Sequence, residues 1–105
     1  MRCQAHACPE QVPAALSAEG ICVEHFLEQV QVRAGAALGR CAADQPVTAA
    51  EVEWLFSQVN FALLRLTRSP DEVTGTQREQ ILELLLCIAN LNEYMRHHSV
   101  RLAER

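Results

Sequence analysis

The spacing of apolar residues predicts an all-α fold, in which a small metal-stapled segment precedes a helical hairpin or three-helix bundle. Three observations carry this. Apolar residues recur at three- and four-residue intervals in three separate stretches. Helix-start patterns led by Ser or Thr precede the second and third of them. Five cysteine and histidine side chains crowd into the first quarter, which has almost no apolar periodicity from which to build a core.

The first stretch predicts a helix from about Cys22 to Cys41, with Phe26, Leu27, Val30, Ala34, Ala37, Leu38 and Cys41 on one face. Gly35 and Gly39 weaken its second half. Ala43 to Val47 reads as a linker. Thr48-Ala49-Ala50-Glu51 is a capping box, in which hydroxyl and carboxylate satisfy two orphan backbone amides at the start of the second helix. Val52, Leu55, Phe56, Val59, Leu63 and Leu66 form its stripe. Ser69 to Thr74 reads as a turn or one short helical turn, with Pro70 at a first helical position. Thr76-Gln77-Arg78-Glu79 is a further capping box, and a long third helix is expected from about Gln77 to Leu102. Its stripe is Ile81, Leu84, Ile88, Leu91, Met95, His98 and Leu102. The organisation is thus a finger over residues 1–26, a finger-exit helix over 22–42 and a helical hairpin over 48–105.

The five clustered side chains are Cys3, His6, Cys8, Cys22 and His25. Thiolates and neutral imidazole are the donors zinc takes in tetrahedral sites. A Cys3-x4-Cys8 pair on a tight loop lets two sulfurs face one ion. Cys22-x2-His25 places two more donors on the first turn of a helix, pointing back at that loop. The expected ligands are Cys3, Cys8, Cys22 and His25, with His6 as the alternative donor. One zinc ion with four protein ligands has no open position for water, so the site is expected to be structural. Bound metal would contribute on the order of 10 kcal/mol of apparent folding free energy to a segment with little core.

Cys3-x4-Cys8, Pro13-Ala14 and Gly20-x-Cys22-x2-His25-Phe26 together resemble a short zinc finger. It occurs as an accessory module in bacterial and phage HNH-type endonucleases and in small bacterial proteins. The resemblance covers about the first 26 residues and implies a zinc module, not an activity. Nuclease-associated versions are rich in Lys and Arg. Here residues 1–30 carry Arg2 against Glu10, Glu19, Glu24 and Glu28, and no HNH-like motif follows.

Composition narrows the function classes. The formal net charge is −4 and all nine basic residues are Arg, with fifteen Ala, a usage expected of a GC-rich bacterial genome. An acidic chain has no general attraction for phosphates, so nucleic acid is the less expected partner. The one basic patch is the C-terminal group Arg96, His97, His98, Arg101 and Arg105. No apolar run reaches a membrane span, and no signal-peptide layout opens the chain, so the cytoplasm is the expected compartment. There, unpaired Cys41 and Cys87 read as small core residues.

Half the residues are hydrophobic, and the helical stripes do not account for all of them. Trp54, Phe61 and Leu64 lie off the stripe of the second helix, and Leu82, Leu85, Leu86 and Cys87 off that of the third. A hairpin cannot cover both faces of both helices. The first helix or a second copy can, the latter giving a four-helix bundle. Asn90 and Asn92 beside the seam are expected to be solvated or to fix register. With no catalytic constellation, the expectation is a non-enzymatic zinc-binding adaptor or regulator working through protein contacts, as a homodimer or with another protein. The alternative is a small zinc-finger regulator that binds DNA or RNA.

Overall fold

The computed structural model describes residues 2–5, 7–97 and 102–103. Helix α1 (Val23–Ala42) opens with Cys22 as its extended N-cap residue. Strand β1 (Val47–Thr48) leads directly into α2 (Ala49–Glu53), a π-helical turn (Trp54–Val59) and α3 (Asn60–Thr67), which run end to end as one rod. A 3-10 turn (Pro70–Glu72) connects this rod to α4 (Gly75–His97). Strand β2 (Leu102–Ala103) pairs in parallel with β1, Val47 opposite Leu102. The fold is therefore all-α, built of three helical rods, with a two-residue strand pair as its one departure among the described residues.

Helix α1 packs against α4 and the π-turn, while α3 packs against α4. The core is the sum of the stripes: Phe26, Val30 and Ala34 from α1, Leu55, Val59, Leu63 and Leu66 from the second rod, and Ile81, Ile88 and Leu91 from α4. Leu16, from a 3-10 turn (Ala14–Leu16) in the otherwise irregular N-terminus, is fully buried among them. Burial of each such Leu or Phe side chain contributes roughly 1.5–3 kcal/mol. No helix of the described residues is long and apolar enough to cross a membrane.

Two polar contacts fix α1 against its neighbours. The Arg33 guanidinium donates to both oxygens of Glu51, Nε to Oε1 at 2.9 Å and Nη2 to Oε2 at 2.7 Å. The same guanidinium lies 3.5 Å from the centroid of the Trp54 ring. At the C-terminal end of α1, the Tyr94 hydroxyl donates to the Cys41 carbonyl at 3.2 Å. Arg33 and Glu51 are both partly exposed, so this clamp is worth about 1 kcal/mol, with orientation its larger effect.

Several expectations are corrected. Only half of the first capping box forms. Thr48 Oγ1 accepts from the Glu51 N–H at 3.1 Å, but the Glu51 carboxylate turns to Arg33 instead. The cap of the long helix is Thr74 and not Thr76. Thr74 Oγ1 accepts from the Gln77 N–H at 3.1 Å, and Gln77 Oε1 accepts from the Thr74 N–H at 2.9 Å. The helix therefore begins two residues earlier than expected. Nor does it run to Leu102, which lies in β2, so the Val47 end of the expected linker is a strand. His98 lies outside the described residues. Trp54 and Phe61, seven residues apart and so expected on one side of a regular helix, do not share a face: Trp54 packs against the core and Phe61 is exposed. The Asn60 N–H donates to the Leu55 carbonyl, five residues back. That extra residue in the turn swings later side chains back by about 100°. Asn90 and Asn92 are exposed.

The shifted cap has a direct check in urea denaturation. Thr74→Ala is expected to lower stability by about 1 kcal/mol, whereas Thr76→Ala should stay within about 0.5 kcal/mol of the parent. The reverse order would return the cap to Thr76.

Candidate metal centre

The N-terminal segment is held by backbone bonds that need no regular element. The Cys3 N–H donates to the Glu10 carbonyl at 2.9 Å, and Arg2 forms an isolated antiparallel bridge with Gln11. Between those ends the loop reverses through Ala7, whose φ of 59° lies in the left-handed region. That conformation costs a residue with a Cβ roughly 1–2 kcal/mol. It brings Cys8 back beside Cys3. A second turn ends at Gly20, with φ 72°, where the Gln4 N–H donates to the Gly20 carbonyl at 2.8 Å. A Cβ there would also stand 2.8 Å from the Gln4 side chain. Gly20 thus delivers Cys22 to the head of α1, and His25 follows on its first turn.

These turns gather Cys3, Cys8, Cys22 and His25, whose donor atoms all lie within 4.8 Å of one another. Cys22 Sγ is 3.2 Å and Cys3 Sγ 3.4 Å from His25 Nδ1, and Cys8 Sγ is 3.9 Å from Cys22 Sγ. A tetrahedral ion with metal–sulfur bonds near 2.3 Å and metal–nitrogen bonds near 2.05 Å sets about 3.8 Å between sulfurs and about 3.6 Å between sulfur and nitrogen. The four donors therefore lie close together and could hold a metal ion. Cys3 and Cys22 are buried, while Cys8 and His25 are half-buried at the rim. His6 lies outside the described residues.

The thiols divide in their acidity. Burial pushes Cys3 up, but the backbone at Cys22 and Ala5, with the side chains of Cys8 and His25, outweighs it, and its pKa is lowered to about 6. Cys22 is raised to about 11, first by burial and then by Cys3 and Cys8, with only the backbone at His25 opposing. One thiolate so close to others resists the ionisation of the next. A cation among them removes that conflict, as metal binding displaces the remaining protons.

Cys41 is buried and Cys87 half-buried, and burial raises both thiols. Neither belongs to the cluster. The Arg33–Glu51–Trp54 clamp is a contact that sequence reasoning missed. Its members lie 18 and 21 residues apart, and no local period connects them. No protein-family model, curated protein or solved structure matches this chain.

Chelator competition should order the variants of this centre. Cys22→Ser is expected to abolish tight metal binding, while Cys87→Ser leaves it unchanged. Gly20→Ala should weaken affinity by about five-fold or more, corresponding to about 1 kcal/mol of left-handed strain. Ala7→Gly relieves that strain and should tighten binding by a similar factor. Unchanged affinity in Cys22→Ser would remove Cys22 from the ligand set.

Proposed function

We propose that this chain is a non-enzymatic adaptor or regulatory protein. A structural zinc ion staples its N-terminus, and its helical hairpin works by contacting protein, in the first instance a second copy of itself. The observation that carries this reading is an apolar face left uncovered by the three rods. Phe61 is 63% exposed, Leu64 42%, Leu82 55% and Leu86 63%. Isolated exposed apolar residues are ordinary, but two pairs on packed neighbouring helices mark an interaction surface. Phe61 and Leu64 are three apart on α3, and Leu82 and Leu86 four apart on α4, so each pair occupies one helix face. Helix α1 packs on α4 and the π-turn, and none of the three rods covers these four side chains.

A second copy is the occupant the shape favours. A shallow cleft of about 240 Å³ runs between the two helices, lined by Phe56, Asn60, Ile88, Ala89 and Asn92. Asn60 precedes Leu64 by one turn, and Ala89 follows Leu86 by nearly one, so cleft and apolar pairs share an edge. In an isologous dimer each copy can offer knobs to the other's cleft, which gives a four-helix seam. Zinc is the metal favoured by three thiolates and one imidazole at tetrahedral spacing. A thiol set needed in its reduced state favours a cytoplasmic setting. Nucleic-acid binding draws less support, because Arg33 is engaged with Glu51 and Trp54. His98, Arg101 and Arg105 of the C-terminal basic group lie outside the described residues.

Elemental analysis should return about one zinc per chain. Sedimentation should show a dimer at tens of micromolar for the parent chain. Phe61→Glu is expected to give a folded, zinc-loaded monomer, because two carboxylates would be buried at each interface. A parent that sediments only as a monomer would overturn self-association, and a folded chain that never takes up zinc would overturn the metal assignment.

A further inference from the structure

Between α1 and α4, a second groove of about 500 Å³ has a different character. Its floor is apolar, formed by Leu27, Ala34 and Leu84, with the half-buried Cys87 beside them. Its walls carry carboxylates from both helices, Glu24 and Glu28 on α1 and Glu83 on α4, all exposed. No cationic side chain lines it. The ion pairs among the described residues form elsewhere, between Arg33 and Glu51 and between His97 and Glu93. Three carboxylates over an apolar floor thus face one groove without a counter-charge from this chain's described residues.

The groove's length also sets its occupant. From Glu24 to Gly35 it follows about 16 Å of α1, three helical turns. Gly35 widens its far end, and a Cβ placed there would meet nothing within 4 Å. An apolar floor flanked by like charges on both walls is the negative image of a helix with one apolar stripe and basic residues on either side. We infer that the α1–α4 groove is the docking site for a basic amphipathic helix of a partner protein, its apolar stripe on Leu27, Ala34 and Leu84 and its Arg or Lys residues on Glu24, Glu28 and Glu83. This inference rests on the adaptor reading but uses different residues, so self-association and partner capture can be tested separately.

The test uses the full zinc-loaded chain and a fluorescent synthetic peptide of about 15 residues, with Leu on one helical stripe and Arg on its flanks. Anisotropy at low salt should show saturable binding, at least about ten-fold tighter than for a scrambled peptide of the same composition. Glu28→Gln with Glu83→Gln should weaken it about five-fold, while the charge-matched pair Glu53→Gln with Glu72→Gln should not. Gly35→Phe fills the groove from an exposed helix position and should abolish binding without loss of fold or zinc. Equal affinity for ordered and scrambled peptides, equal loss in both double variants, or full binding by Gly35→Phe would each overturn the proposal. Displacement of the peptide by spermine at equal concentration would overturn it too, making the groove a site for a linear polycation. Repeating the titration in Phe61→Glu separates the two surfaces. Retained peptide binding by the monomer supports the groove on its own. No binding by any form, beside a dimer that Phe61→Glu dissociates, defeats the groove and leaves the adaptor reading standing.

Discussion

Everything in the first quarter of this chain depends on four donor atoms converging at the head of α1. Among its described residues, the segment before Cys22 has one fully buried side chain, Leu16, and a handful of backbone hydrogen bonds. That is too little apolar burial to offset the conformational entropy of about twenty residues. Coordination can make up the shortfall because its free energy is concentrated at one point. A metal ion held there would tie the loop to Cys22 and His25, while Leu16 packs beneath α3 and joins the N-terminal segment to the core. The left-handed turn at Ala7 is the local cost of that convergence, a cost that Gly20, without a Cβ, avoids.

What the sequence revealed follows the range of the physics. The gathering of Cys3, Cys8, Cys22 and His25 was legible because ligand chemistry restricts residue types and a short loop restricts spacing. The bodies of the helices were legible for a similar reason, since Phe26, Val30, Leu55, Val59, Ile81 and Ile88 repeat at the period of the structure they form. Thr74 and Thr76 head two overlapping patterns with the same chemistry, so local pattern alone could not rank them. The chain resolves the choice through Val73, extended and packed against the core, which makes the next residue the natural cap. The pairing of Val47 with Leu102 has no periodic signature at all, because two residues are too few to show one.

The π-turn is the feature with the widest reach and the least visible origin. It inserts one residue into the second rod, keeps Leu55 and Val59 in the core and parts Trp54 from Phe61. On one side of that turn an aromatic ring is stacked under a guanidinium and half-buried. On the other, an aromatic ring faces outward. Two residues that a regular helix would present together thus serve an internal contact and an external surface.

The clamp also makes the molecule report on itself. Trp54 and Tyr94 are the single tryptophan and tyrosine of the chain, the first marking the middle of the α1 seam and the second its C-terminal end. Tryptophan emission is sensitive to a charged group stacked on the ring, and tyrosine absorption to the state of its hydroxyl. The closing of α1 against the second rod and against α4 can therefore be followed as two separate optical signals, with no label attached.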